Sequence, residues 1–398
     1  MEKFRLAVFN TQPPHLYMGG VERRINETMS RLARYADITV YSGTKAGFKK
    51  PLNRQGINFV PLFSTNKVYP LDNWTFNRTV TKTVFNANIY EAHNDSGYGL
   101  LKTLKKPSTA RKAFVHTIHG VLADEFEQAK LSDNFSFKDK IANHFMAKLA
   151  RLEERTAKEA DLIVTISQYS FEKLQKHYNK IDPTKVRIVS NGVDLQRYKP
   201  AENPMLLKQK FGLTEAPVVL FVGNLIPRKG VMYLAKVAKE VIKTEPYVQF
   251  AIIGRGPLKD MLIRRLKSDN LLDNFIFKSN LTDENLSALY SCSDVFALPS
   301  LQEGQGIVLL EAAASGKPVV AFNIGGVNEV VLEGKTGLLT RRGNCAEFTE
   351  ALLKLLGNAS LRQNMGLTGR RFVGENFTWD ICTQKMLKIY QEARHCVV

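Results

Sequence analysis

The chain of 398 residues carries only four cysteines: Cys292, Cys345, Cys382 and Cys396. None stands in a CxxC or metal-ligand spacing, so neither a zinc site nor a disulfide framework is indicated, and the thiols read as reduced in a cytosolic protein. Long apolar runs are also lacking, and nothing approaches the roughly 18 residues of a spanning helix. The opening "MEKFRLAVFN" reads as a charged-then-apolar strand, without the long apolar region and small-residue cleavage site of a secretory leader. Short repeats and low-complexity tracts are missing. So are a basic helix, a zinc pattern and an aromatic-rich RNA motif, the usual marks of a nucleic-acid binder.

What the chain does have is a soluble, globular composition, 44% hydrophobic and 24% charged, and a net charge of +18. Its length is too great for one ordinary core and favours two domains. The charge is unevenly placed: +13 falls in residues 1–200 and +5 in 201–398. "KTLKKPSTARK" at 102–112 holds Lys102, Lys105, Lys106, Arg111 and Lys112 with no acid between them. A basic first half suits an anionic partner, whether nucleic acid, acidic lipid headgroups or a phosphorylated substrate. Any single cluster of this kind is more often ordinary solvated charge.

Apolar, β-branched runs alternate with helical patterns along the whole chain. In the first half these are "FRLAVFN", "DITVYS", "INFVPLF", "NIYEAHN", "KAFVHTIH", "DLIVTIS" and "VRIVSN"; in the second, "PVVLFVG", "VQFAIIG", "NFIFKS", "DVFALPS" and "PVVAFN". Short buried strands alternating with helices predict parallel sheets covered on both faces. Such sheets bind ligands at the carboxyl ends of their strands. The alternation pauses at "GVDLQRYKPAENPM" (192–205) and resumes near Pro217. The fold class is therefore α/β, with two doubly wound domains facing each other across a cleft. The first covers 1–198 and the second 199–376.

Several turns at predicted strand ends carry chemistry. In "VGNLIPRKG", Arg228 and Lys229 stand just before a helix start, where two cations, free N–H groups and the positive dipole end favour a phosphate or diphosphate. In "IIGRGP", Gly254 and Gly256 allow a close approach to the backbone, though G-x-G-x-x-G is absent. In "SLQEGQGIVLLEAAASGKPVV", Glu303 lies in the loop after a strand and Glu311 inside the following helix. Between them, the N–H groups of Gly306, Ile307 and Val308 are available to phosphate oxygens. In the first half, Gly19-Gly20 opens a helix, and His119 falls at the end of a strand. His116 and His119 lie three apart on a strand, point to opposite faces and lack a third ligand, so a metal reading is weak. Each motif has a plain structural alternative: a solvated turn, a capping acid or a satisfied core histidine.

Taken in order, "GGVERR", "HTIHG", "VSNGVDLQRYKP", "VGNLIPRKG", "IIGRGP", "EGQGIVLLEAAASGKPVVA" and "GGVNEVV…GKTGLL" resemble the nucleotide-sugar glycosyltransferases of family 4. The resemblance runs over nearly the whole chain. It implies the GT-B fold, two Rossmann-like domains, with residues 377–398 a helix crossing back to the first. It implies that Glu303 binds hydroxyls of the donor sugar, Glu311 the ribose, and Lys229 with Arg228 the diphosphate. Gly19 and Gly20 would approach that diphosphate, and His119 the sugar or reacting centre. Gly254, Ser279 and Asn280 would lie beside the base. It further implies retention of anomeric configuration, no metal or other cofactor, and an acceptor-binding first domain. Asn224 stands where the family often has an arginine, and Arg228 is the expected replacement. Gln305 stands where phenylalanine is common and is expected to bear on sugar choice.

With the basic first half, these features predict a hexosyl or N-acetylhexosaminyl transferase. Its donor would be a UDP- or GDP-sugar, and its acceptor a lipid-linked or anionic glycan. The protein would be cytoplasmic and peripheral at the inner membrane face. Contacts are expected along 102–112 and the amphipathic stretch 137–158. The alternatives are a sugar-nucleotide epimerase of the same fold, a basic nucleic-acid- or anion-binding protein, and an inactive scaffold.

Overall fold

The computed structural model describes residues 3–17, 19–65, 70–104, 112–128 and 145–396 in full, and the backbone alone of 129–130 and 137–144. Lys105, Lys106 and Arg111 lie outside the described residues. The chain divides into two units, one of residues 1–191 plus the C-terminal segment from Trp379, the other Gly192–Thr378. The segment 192–198 thus groups with the second unit, where the Val193 amide donates to the Phe377 carbonyl at 2.8 Å.

The first unit is built on eight strands: β1 (Phe4–Asn10), β2 (Ala36–Gly43), β3 (Leu52–Arg54), β4 (Ile57–Leu62), β5 (Ile89–His93), β6 (Ala113–Ile118), β7 (Leu162–Thr165) and β8 (Val186–Ile188). Their order is β3-β4-β2-β1-β5-β6-β7-β8, and only the short edge strand β3 runs antiparallel to its neighbour. The central strands are buried along their length, as "IYEAH" in β5 and "AFVHTI" in β6 demonstrate, because helices cover both faces. Glu91, His93, His116 and Thr117 are therefore polar groups inside a sheet, and each needs a partner.

The helix Trp379–His395 belongs to this first unit. Three contacts fix it there. Tyr390 donates to Glu91 Oε2 at 2.5 Å. Glu392 pairs with Arg187 on β8. Buried Arg24 holds the Val189 carbonyl at 2.8 Å and Asn191 Oδ1 at 3.0 Å, with Met386 Sδ 3.6 Å from its other terminal nitrogen.

The second unit contains β9 (Val218–Val222), β10 (Gln249–Ile253), β11 (Phe275–Lys278), β12 (Val295–Leu298), β13 (Val319–Phe322) and β14 (Gly337–Thr340). All are parallel, in the order β11-β10-β9-β12-β13-β14. This is the dinucleotide-fold order, with its reversal between β9 and β12. Helix Val231–Thr244 buries Val231, Leu234, Ala235, Val237, Ala238 and Val241. That is the 3.6-residue stripe of a helix lying on a sheet. Each fully buried Val or Leu there contributes about 1.5–3 kcal/mol. Asn344 and Asn358 cap helices Cys345–Leu356 and Ala359–Asn376 by accepting from the amides of Glu347 and Leu361.

Among the described residues no helix is long and apolar enough to cross a membrane. On helix Phe137–Glu159, Leu149 and Ala150 pack on Leu122 of their own unit, while Phe145 is 37% exposed. The same helix carries Glu153, which is wholly buried and accepts from the Tyr178 hydroxyl and the Leu122 amide. Burial pushes its carboxyl up to about 8, although both hydrogen bonds pull it down. Between its ordinary value of 4.5 and about 8, the folded state holds a proton that the unfolded state has released. This contribution to stability is therefore complete below that interval and declines as pH rises through it. Glu153→Gln should flatten the pH dependence of urea unfolding between about pH 5 and 8. An unaltered slope would exclude the protonated carboxyl.

Candidate functional site

Two groups of polar residues lie at strand ends, one in each unit. In the second unit the loop after β9 meets the loop after β12 at the reversal of strand order. Gly230 makes this possible. It adopts φ +65°, and a Cβ there would stand 1.7 Å from the Pro299 carbonyl oxygen. The Leu301 amide also donates to the Arg228 carbonyl at 2.8 Å. The two loops are thus fastened together, and Lys229 reaches across to Glu303 with Nζ 2.5 Å from Oε1. Ser300 Oγ donates to the same oxygen at 2.7 Å.

Glu303 is 5% exposed. Burial alone would raise its pKa, but the charges of Lys229 and Arg228 and the hydrogen bonds from Lys229 and Ser300 together hold it below its ordinary value. The group is a carboxylate with one oxygen occupied, while Oε2 makes no hydrogen bond among the described residues. Lys229 keeps two of its three N–H donors for another acceptor.

Gly306, at φ +89°, precedes the helix Ile307–Ala314, so Ile307 and Val308 form its first turn. First-turn amides have no carbonyl acceptor within the helix. Glu311 is buried in the following turn, with Oε2 accepting from Tyr290 at 2.9 Å. Gln305 is 1% exposed, packed inside the loop and not displayed from it. Gly326 backs this loop: a Cβ there would lie 2.2 Å from the Gly304 carbonyl oxygen.

Beside them, the ends of β9, β10 and β11 are joined rung by rung. Gly223 donates to Ile253, Gly254 to Lys278 and Leu225 to Arg255, at 2.9–3.0 Å. Gly254 is required by this closeness, since its Cβ would meet the Gly223 oxygen at 1.9 Å. Asn224, Ser279 and Asn280 are exposed along this strip, and Arg255 reaches Asn280 Oδ1 at 3.4 Å. The structure therefore brings Arg228, Lys229, Glu303, Gly306, Ile307 and Val308 together at one strand-order reversal, with Gly254, Ser279 and Asn280 on the neighbouring edge.

In the first unit the reversal falls between β1 and β5. A polar cavity of about 120 Å³ opens there, lined among others by Thr11, Glu22, Asp72, Asn73, His93 and Ser96. Asp72 is fully buried and paired with Lys45. Gly19 and Gly20 are exposed at the start of helix Gly20–Leu32. A Cβ on Gly19 would meet Glu22 Oε2 at 2.2 Å. Glu22 is buried, and that burial raises its pKa despite the hydrogen bond from Asn10.

His119 follows β6, with Nε2 2.9 Å from His93 Nδ1 at the end of β5. Asn94 fixes both strand ends: its carbonyl is 2.6 Å from His116 Nε2 and its Oδ1 accepts from the His119 amide at 2.8 Å. Burial lowers His93 and His116 to about 4 and holds His119 well below its usual value, so all three are neutral at pH 7. Among the described residues, no group of three or more His, Cys, Asp or Glu side chains is arranged to hold a metal ion.

One expectation changes. Lys112 is not a surface contact: its ammonium donates to the Phe85 carbonyl and the Tyr90 hydroxyl and sits over the Tyr90 ring, while Lys102 remains exposed. Glu91, His93 and Asn94 join this site without having been predicted, although "EAHN" closes a predicted strand, where residues at the carboxyl end are expected to face a ligand.

Both halves of the chain match known families. The family described as Glycosyltransferase Family 4 matches residues 18–197, and Glycosyl transferases group 1 matches 206–372. A GDP-mannose-dependent alpha-(1-6)-phosphatidylinositol monomannoside mannosyltransferase of Mycolicibacterium smegmatis is 31% identical over 56% of this chain and 60% of its own length. A GDP-mannose-dependent monoacylated alpha-(1-6)-phosphatidylinositol monomannoside mannosyltransferase of Corynebacterium glutamicum is 33% identical over 58% of this chain and 62% of its own. The chain thus spans about 60% of the length of these relatives. In fold, the sucrose-phosphate synthase of Thermosynechococcus elongatus superposes with a TM-score of 0.82 over 98% of this chain and 99% of that one, at 18% identity. With both families matched in sequence order and the paired strand-end sites in place, the chain belongs to the family 4 glycosyltransferases of GT-B fold.

Proposed function

We propose that this chain transfers a hexose or N-acetylhexosamine, with retention and without a metal or other cofactor, from a UDP- or GDP-sugar to a hydroxyl of a lipid-linked or cell-envelope glycan. The observation that carries this reading is the Lys229–Glu303 pair at the β9/β12 reversal, beside the start of helix Ile307–Ala314. The two relatives reported above use GDP-mannose, which favours a hexose among the donors.

The chemistry follows from charge. As the bond from sugar C1 to the phosphate oxygen breaks, negative charge gathers on the departing diphosphate. Lys229, Arg228 and the amides of Ile307 and Val308 stabilise it, and preorganised groups of this kind usually supply the largest catalytic contribution. Glu303 Oε2 accepts from a sugar hydroxyl and orients the ring; Glu311 serves the ribose. His119 contacts the sugar or the attacking hydroxyl. The acceptor oxygen bonds C1 on the face that the leaving group vacates, and its proton passes to the leaving phosphate oxygen. Lys229→Ala should lower transfer by about 10²–10³-fold, and Glu303→Ala should impair it comparably. Transfer to a glycolipid acceptor from a panel of UDP- and GDP-sugars, with EDTA present, measures both. Unimpaired transfer by Glu303→Ala would overturn the assignment.

A membrane-bound acceptor is supported by a face other than 102–112. On helix Leu71–Lys82, Leu71, Trp74, Arg78 and Lys82 are exposed at helical spacing, and Arg78 lies over the Trp74 ring. Phe63, 62% exposed, adjoins them through its carbonyl, which accepts from Thr79 at 2.9 Å. The helix's sole acid, Asp72, is buried and paired. An aromatic and aliphatic tip flanked by cations that pair with no acid among the described residues fits the anionic inner leaflet. The double substitution Arg78→Ala, Lys82→Ala should weaken sedimentation with phosphatidylglycerol vesicles roughly 10–30-fold. Unchanged sedimentation would remove this face from the reading.

A further inference from the structure

The histidine pair of the first unit makes a prediction about protons. Glu91 sits on β5 and its carboxylate is engaged from two sides: Tyr390 donates to Oε2 at 2.5 Å and Thr117 to Oε1 at 2.6 Å. Oε1 also faces His93 Nε2 at 3.6 Å, beyond hydrogen-bond reach but close enough for charge to decide which ring nitrogen is protonated. His93 Nε2 is buried and has no hydrogen-bond partner among the described residues. A lone pair there would confront a carboxylate in a dry interior, whereas an N–H would be attracted to it.

From this geometry we infer that Glu91 and His93 act as positioning residues that fix the tautomer of His119, with its Nε2 protonated and its Nδ1 presented as an acceptor to a substrate hydroxyl. With the proton on Nε2, neutral His93 carries a lone pair on Nδ1. That atom is 2.9 Å from His119 Nε2, so His119 must donate from Nε2. Neutral His119 then has its lone pair on Nδ1, which makes no hydrogen bond among the described residues.

The setting excludes rearrangement. His119 is anchored through its amide to Asn94 Oδ1, and the carbonyl of Asn94 accepts from His116 Nε2. Asn94 adopts φ +48°, in the left-handed region, which a residue keeps only when its surroundings hold it. Tyr390 brings the C-terminal helix into the same network. The inference rests on the reading of His119 as a substrate contact, and it specifies what that contact can do. His119 accepts a hydrogen bond from a sugar or acceptor hydroxyl. It does not donate one to a phosphate oxygen.

The full-length chain, labelled with ¹⁵N-histidine, tests this directly by two-bond ¹H–¹⁵N correlation at pH 7, with His119 assigned by its disappearance in His119→Gln. The expected spectrum has both His93 and His119 protonated on Nε2. A His119 protonated on Nδ1 overturns the inference. Glu91→Gln should mix the two tautomers at both rings and lower kcat about tenfold while leaving the donor KM within about twofold, the scale of one misdirected hydrogen bond. Unchanged tautomers with unchanged kcat would also overturn it. Should Glu91→Gln not fold, the native spectrum alone decides. If no nucleotide sugar is transferred, the proposed function fails while the spectrum still reports on the relay.

Discussion

Each sheet reverses its strand order beside its first strand, and the placement of chemistry in both units follows from that reversal. At β9/β12 and at β1/β5 the flanking connections depart to opposite faces, and the loops on either side of each reversal border one place at the strand ends. In the second unit these loops press backbone on backbone, so that only glycine fits at Gly230 across the β9/β12 reversal, at Gly254 between the ends of β10 and β9, and at Gly326 between the loops after β13 and β12. These contacts make the loops into a rigid frame. Lys229 and Glu303, 74 residues apart, meet because the Arg228 carbonyl and the Leu301 amide are already bonded. Burying a lone carboxylate would be costly, and the pair persists because its geometry and the Ser300 hydroxyl compensate.

The two units solve the problem of buried ionisable groups in opposite ways. Glu303 stays charged because the cations at Lys229 and Arg228 outweigh its burial. His93, His116 and His119 in the first unit stay neutral because burial prevails, and the nearby Arg24 adds to it at His93 and His119. A charged, partly satisfied carboxylate is suited to accepting from hydroxyls beside a diphosphate. Neutral imidazoles are suited to directional hydrogen bonds without adding charge of their own.

Every strand read from the sequence is present, because buried parallel strands are written as unbroken apolar runs such as "VVLFV" and "FAII". The strands that escaped, β3 and β14, are short; β3 is an exposed edge with the composition of a loop. The carboxylates and cations of "PRKG" and "EGQG" were legible because glycine marks the turn and a helix start follows. What was hidden was pairing. Nothing in the local sequence says that Lys229 engages Glu303, that Tyr290 engages Glu311, or that Lys112 turns inward onto Tyr90. Those are tertiary facts, fixed by which strands become neighbours. The exposed face of helix Leu71–Lys82 is set in the same way: Phe76 and Val80 are buried, which leaves Leu71 and Trp74 on the outside.

The C-terminal helix is more than a closing strap. A helix that only covered the first unit would need an apolar stripe, which Trp379, Met386 and Ile389 supply. This one also places Tyr390, a buried hydroxyl whose proton is held by burial and by the adjacent Glu91. With Thr117 it occupies acceptor positions on Glu91 and leaves the carboxylate's side toward His93 to charge alone. The tautomer inferred for His119 therefore depends on the C-terminal helix, whose Tyr390 lies 299 residues from Glu91 in sequence. The segment from Trp379 packs in the first unit not only to bury apolar surface but because the polar interior of β5 and β6 is incomplete without it.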